Sequence, residues 1–246
     1  MTRLLARGCG RTRYSGPGNP DDTATSLAVG PGGATVYVTG GSGRYFATVA
    51  YDAAAGGQLW VSRRTGYARA VAVSPDGHVV YVTGSSGLSF ATVAYHAATG
   101  TLRWESRYNA APGSASGASW LALSPSGTMV YVTGTAGLEF ETVAYNATTG
   151  ARRWARRFNG PGESYAAAPQ VAVGPRGHTV YITGGPGKYV ATVAYNAATG
   201  ASRWVRLHRG TGTSLAVNPV TGTVYVTGGA KRTASFLDYL TIAYHG

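Results

Sequence analysis

The sequence predicts an all-β fold, a five-bladed β-propeller of four-stranded antiparallel blades closed by an N-terminal strand that joins the C-terminal blade. Three observations predict it: a fivefold internal repeat, turn chemistry between short β-like runs, and two chain ends that complement each other. The string V-Y-[VI]-T-G begins at Val36, Val80, Val130, Val180 and Val224. A second string, T-[VI]-A-Y, follows each and ends at Tyr51, Tyr95, Tyr145, Tyr195 and Tyr244. Two strings in fixed order at a period of 44 to 50 residues define one supersecondary unit copied five times.

Each unit divides into four runs. In the second they are Ala70–Ser74 (a), Val79–Thr83 (b), Phe90–Tyr95 (c) and Leu102–Tyr108 (d). Val, Thr and Tyr favour pleated, half-buried backbone, and Ser74-Pro75-Asp76-Gly77 supplies the Pro and Gly of a tight a–b turn. Runs b and c are apolar or small at nearly every position, so both faces of the sheet are expected to be covered. Run a keeps Ala at one phase (Ala28, Ala72, Ala122, Ala172, Ala216), which suits a crowded inner strand. The opening Arg13-Tyr14-Ser15-Gly16-Pro17-Gly18 matches the strand-d segment Arg157-Phe158-Asn159-Gly160-Pro161-Gly162, while the chain stops after a strand c. Pairing of the two would close the ring and remove sheet edges. The expectation is one domain over 1–246, with repeats near 25–64, 69–108, 119–158, 169–207 and 213–246 plus 9–14.

Composition agrees with many short strands and tight turns: 37 Gly and 12% charged residues in 246. Cys9 is the sole cysteine and allows neither an intramolecular disulfide nor a cysteine-cluster metal site. No apolar run reaches the length of a signal peptide or a membrane span, so the chain as given reads as soluble, its compartment undetermined. The formal charge of +12 favours anionic polymers or surfaces as partners.

A Trp follows each of the first four strands c after a turn, as in Tyr51–Trp60, Tyr95–Trp104, Tyr145–Trp154 and Tyr195–Trp204. With Asn146-Ala147-Thr148-Thr149-Gly150 and Asn196-Ala197-Ala198-Thr199-Gly200, this resembles the tryptophan-docking repeat of PQQ-like propellers, Asn replacing an Asp. The resemblance to bacterial PQQ-like and YVTN-type repeat propellers implies that the Trp wedges neighbouring blades together. It also implies a secreted or surface binding scaffold. Quinoprotein dehydrogenases in the wider family typically have eight blades, calcium ligands and an adjacent-cysteine disulfide, which this sequence lacks, so no cofactor is expected.

No catalytic or metal-ligating motif emerges. The Gly-rich b–c loops precede strands rather than helices and read as hairpin turns, not phosphate loops. His78 and His178 occupy the same slot in different repeats and read as solvated turn residues. Arginines on strands d, among them Arg63, Arg64, Arg103, Arg107, Arg152, Arg153, Arg156, Arg157, Arg203 and Arg206, form a basic belt. That belt guards edge strands or contacts an anionic polysaccharide or other anionic surface.

The repeats diverge most in the d–a and b–c loops, which share one face of the ring, and variable loops on a rigid scaffold often carry function. The candidate ligand-binding residues there are Asp21, Asp22, Arg44, Tyr67, Arg69, Glu139, Glu163, Tyr165, Lys188, Lys231 and Arg232. The expected function is a monomeric, non-enzymatic scaffold binding protein or glycan on this face. The alternative is a lyase or hydrolase at the channel mouth, which two converging carboxylates would favour.

Overall fold

The a, b and c runs of all five repeats and the four internal d runs become strands. The computed structural model describes residues 11–18, 21–109, 115–137, 139–160, 170–185, 189–231 and 237–245. Sheet 1 contains β1 (Asp22–Val29), β2 (Thr35–Ser42), β3 (Tyr45–Asp52) and β4 (Gln58–Thr65). Sheet 2 contains β5 (Tyr67–Val73), β6 (Val79–Ser86), β7 (Ser89–His96) and β8 (Leu102–Tyr108). Sheet 3 contains β9 (Ser116–Leu123), β10 (Met129–Ala136), β11 (Glu139–Asn146) and β12 (Arg152–Phe158). Sheet 4 contains β13 (Gln170–Val173), β14 (Thr179–Gly184), β15 (Tyr189–Asn196) and β16 (Ser202–Arg209). Sheet 5 contains β17 (Thr211–Val217), β18 (Val224–Lys231) and β19 (Leu237–Tyr244). All pair antiparallel in chain order, a to d, and the sheet boundaries differ by a few residues from the predicted repeats.

The two repeat strings have separate physical roles. The Thr of each is paired across strands b and c, as in Thr39–Thr48 and Thr83–Thr92, both 3.1 Å between hydroxyl oxygens. The Gly of V-Y-[VI]-T-G lies where strand a crosses its neighbour through a register shift. A Cβ on Gly40 or Gly84 would land on the carbonyl of Thr23 or Tyr67.

Sheets stack in sequence through their faces. The inner strands β1, β5, β9, β13 and β17 touch one another in turn, and Thr25 Oγ1 donates across the first junction to the Ala68 carbonyl at 3.1 Å. On the outer side three indoles reach the c–d turn of the next sheet. Trp60, Trp104 and Trp154 donate Nε1–H to the carbonyls of Ala97, Ala147 and Ala197 at 2.8, 2.9 and 2.9 Å. Tyr37, Tyr81 and Tyr131 donate to the same three carbonyls. The wedge implied by the family resemblance is present at all four internal junctions, with the indole inserted between tyrosines of adjoining sheets, as Tyr81–Trp104–Tyr145 and Tyr181–Trp204–Tyr244.

Among the described residues no strand pair joins the N-terminal segment to sheet 5. Sheet 5 has three strands, and Arg11–Gly16 forms no strand. That segment instead lies against sheet 1, where Tyr14 Oη accepts from Arg63 Nε at 2.7 Å and Gly16 N–H donates to Asp22 Oδ2 at 2.9 Å. Each outermost sheet carries exposed apolar residues among those described. Leu27 is 66% exposed on sheet 1, and Tyr239 is fully exposed on sheet 5.

Candidate functional site

The d–a junctions and b–c turns do share one face. The turn after β2 is held directly to the junction after β4, because Gly66 N–H donates to the Arg44 carbonyl at 3.1 Å, and Gly43 N–H donates to the Asp21 carbonyl at 3.4 Å. Between sheets 1 and 2 this leaves a groove of about 230 Å³ lined by Asp21, Thr23, Thr25, Gly41, Tyr67 and Arg69, among others. Along β5 the buried Ala68 and Ala70 alternate with the exposed Tyr67 and Arg69, so strand period sends the latter two side chains outward together. Tyr67 is 58% exposed, and its ring edge lies beside Gly41.

The remaining candidates separate. Asp22 turns away from the groove toward the N-terminal segment. Hydrogen bonds from the Ser42 hydroxyl and the Gly16 amide hold its carboxyl below the ordinary Asp value. Arg44 is exposed at its turn. Glu139 is engaged by Arg157 Nε at 2.9 Å, at the junction of sheets 2 and 3. Lys231 ends β18, and its side chain is outside what the structure describes, as are Glu163, Tyr165, Lys188 and Arg232.

That second junction contains a group the sequence reading missed. Glu141 is 2% exposed, accepts from Tyr108 Oη at 2.7 Å and from Arg157 Nε at 3.3 Å, and faces the guanidinium that also holds Glu139. Burial, reinforced by the hydrogen bond to Glu141, pushes the Tyr108 hydroxyl up to about 12. Donating to the Glu141 carboxylate raises the Arg157 guanidinium above its ordinary value, and Arg152 lies over the Tyr108 ring at 5.2 Å. The signal was one residue off the repeat: Glu141 stands where sheets 1, 2 and 4 carry Ala47, Ala91 and Ala191 and sheet 5 carries Leu240. The two carboxylates do converge, but both on strand c, two strands from the inner strand, and around one cation on strand d. Such an arrangement locks sheet 2 to sheet 3. Among the described residues no group of three His, Cys, Asp or Glu side chains is placed to hold a metal ion.

The arginine belt divides in the same way. Arg156 donates to the carbonyls of Gly200 and Thr199 at 2.9 and 3.0 Å, the role played by Ser62 and Ser106 at the previous junctions. Arg64 and Arg107 both contact Glu105. On the opposite face, Arg153, Arg176 and His178 line a groove of about 730 Å³ between sheets 3 and 4. Arg203 joins Arg176 and His178 in an adjoining one of about 210 Å³. The sequence reading left this groove out, although Arg176 marks it as the arginine among a–b turns otherwise built from small or acidic residues.

Comparison with known proteins agrees with this architecture. A family model described as "Outer membrane protein assembly factor BamB" matches residues 46–241. No curated protein matches the sequence. Among solved structures, hydrazine synthase of Kuenenia stuttgartiensis superposes with a TM-score of 0.70 at 16% identity, covering 95% of this chain and 66% of that one. The dihydro-heme d1 dehydrogenase NirN gives 0.60 at 17% identity, covering 94% and 46%. A quinohemoprotein alcohol dehydrogenase from Pseudomonas putida HK5 gives 0.62 at 17%, covering 86% and 39%. The chain thus spans less than two thirds of each of these proteins, and at such identity the likeness concerns fold alone.

Proposed function

The chain belongs to the BamB family of PQQ-like β-propeller repeat proteins, and on that premise we propose that it is a non-enzymatic binding scaffold whose ligand lies on the d–a and b–c loop face, in the groove between sheets 1 and 2. One observation carries this reading. Tyr67 and Arg69 project side by side from a rigid inner strand into a groove walled by Asp21, while the neighbouring side chains of β5 are buried. An exposed ring offers a stacking platform for a sugar, a guanidinium binds a carboxylate in a fork, and Asp21 accepts from hydroxyls. Uronic-acid polysaccharide is the ligand class that uses all three, and the charge of +12 adds long-range attraction for it. The family's description and the predicted binding role also favour an exported or surface location.

The test is titration of a uronic-acid oligosaccharide into the protein and into Tyr67→Ala and Arg69→Ala. Each variant should bind at least about tenfold more weakly, the effect of losing one centrally placed aromatic or Arg contact. Binding of the parent should weaken as salt rises. Variants that bind as the parent does would remove the groove from the reading.

A further inference from the structure

On the face opposite the Tyr67 groove, the a–b turns and the residue before each Trp meet at every junction, and their chemistry changes along the chain. The turns themselves share one frame, closed in sheets 1 to 4 by a Gly N–H donating to the carbonyl three residues earlier at 2.8 Å. At corresponding positions the junction of sheets 1 and 2 sets Gly32 and Leu59 against Asp76 and His78, and the next sets Asp76, His78 and Arg103 against Ser126 and Thr128. The junction of sheets 3 and 4 sets Ser126, Thr128 and Arg153 against Arg176 and His178, all lining one groove. Arg176 and His178 also line the adjoining groove between sheets 4 and 5, where Arg203 joins them. No acid lines either groove. Among the described residues the carboxylates that pair with arginine are Glu105, Glu139 and Glu141, on strands c and d of sheets 2 and 3. The later junctions therefore gather cations without the acid that accompanies them earlier.

The walls add donors in fixed positions. Ser124 Oγ accepts from the amides of Thr128 and Met129 at 3.1 and 3.0 Å, and beside it the exposed hydroxyls of Ser126 and Thr128 stand 2.8 Å apart. In the second groove Arg203 is tied to its neighbour, its Nη2 donating to the His178 carbonyl at 3.2 Å. The rings that reach these grooves, Tyr131 and Tyr181, are at most 3% exposed and pack against Trp154 and Trp204. A sugar or a base thus has no platform to stack on, in contrast to the groove at Tyr67. What the walls can read is an anion rich in acceptors. A phosphate group presents three oxygens to guanidinium forks and hydroxyls together, where a carboxylate presents two. Two grooves that share Arg176 and His178 suit two such groups on one ligand.

We propose that the paired grooves around Arg176 and His178 form a second binding site, for a ligand carrying two phosphate groups. Arg153 with the Ser126 and Thr128 hydroxyls receives one group, Arg203 receives the other, and Arg176 serves both. The site shares no residue with the groove between sheets 1 and 2, so it stands or falls apart from the uronic-acid reading. A free diphosphate and the headgroup of a bisphosphorylated lipid carry the same chemistry.

Calorimetric titration of pyrophosphate and co-sedimentation with vesicles of equal parts phosphatidylcholine and cardiolipin test the site and separate the two sources. Pyrophosphate binding assigns a free ligand, and vesicle binding without it a lipid headgroup. Three variants lower the net charge equally. Arg176→Ser and Ser126→Asp copy what the preceding sheet carries in the same turn, Ser126 and Asp76 respectively, so both should keep the parent's circular dichroism and melting temperature. Arg107→Ser removes an arginine engaged by Glu105, outside both grooves. For the probe that the parent binds, Arg176→Ser should weaken binding at least about tenfold through loss of a charge-assisted contact. Ser126→Asp should do so by about tenfold or more through like-charge repulsion. Arg107→Ser and Tyr67→Ala should bind as the parent does. A parent that binds neither probe overturns the proposal, and so does Arg176→Ser binding undiminished. A loss in Arg107→Ser equal to that in Arg176→Ser also overturns it, because net charge alone would then be read.

Discussion

Replacing Gly150 by Ala tests whether the tryptophan wedge fixes the spacing of the sheets. Gly150 has φ +71° in the c–d turn of sheet 3, and an added Cβ would lie 2.6 Å from Cδ2 and Cε3 of Trp104. A left-handed Ala costs about 1–2 kcal/mol, and forcing a methyl group into a packed indole costs about 1–3 kcal/mol more. The total is about 2–5 kcal/mol. Gly56 supplies the internal control, since it occupies the same turn of sheet 1 with φ +71° but has nothing within 4 Å of its Cβ position. Gly56→Ala should therefore lose only the backbone part, and the gain from stiffening the unfolded chain, common to both, cancels in the comparison. Urea unfolding of the two variants should separate them by about 1–3 kcal/mol. Equal losses, within about 0.5 kcal/mol, would show that the indole yields freely and that the wedge does not set the junction.

The Glu141 cluster predicts an order of damage. Arg157→Ala leaves a buried carboxylate with the Tyr108 hydroxyl as its remaining partner among the hydrogen bonds described here, and should cost about 3–5 kcal/mol. Glu141→Ala restores the residue of sheets 1, 2 and 4 and removes the charge as well, so it should cost less in the same urea assay; the reverse order would refute the lock between sheets 2 and 3. The buried tyrosines predict alkaline instability. Burial pushes the Tyr195 hydroxyl up to about 12 and drives Tyr95 and Tyr145 higher still. A raised acid pKa leaves the stability intact below the unfolded value near 10 and removes it as pH climbs from there toward 12. Tyr195 alone should contribute a loss of about 1.4 kcal/mol per pH unit in that window. Tyrosinate absorbance should rise together with unfolding, and ionisation of these residues near their ordinary value in the folded protein would refute the burial argument.

Sheet order, the strands and the Trp junctions were legible because each follows from a short-range rule repeated in the sequence. Alternation, turn glycines and the Tyr–Ala–Trp positions all act between neighbours, and five copies average out the exceptions. The binding face was only partly legible. Asp21, Tyr67 and Arg69 come together because the d–a and b–c connections share an end of every sheet, whereas Asp22 and Glu139 were taken up by local partners, Gly16 and Arg157, that loop divergence does not reveal. Glu141 was readable in principle, as an acid in a register that sheets 1, 2 and 4 fill with alanine, but its partners Tyr108 and Arg157 come from other strands and no local rule points to them.

Closure lay beyond such rules for a different reason. A repeat specifies how one sheet packs on the next, and every junction in this chain obeys it. Whether the first and last faces meet depends on the rotation added at each junction and summed over all of them, a quantity that no residue encodes and that a small change at each Trp contact would alter. Gly150→Ala, by spreading one internal junction, should change the curvature of the array, which small-angle scattering of variant and parent would read; identical profiles would refute a spacing set at the Trp contacts.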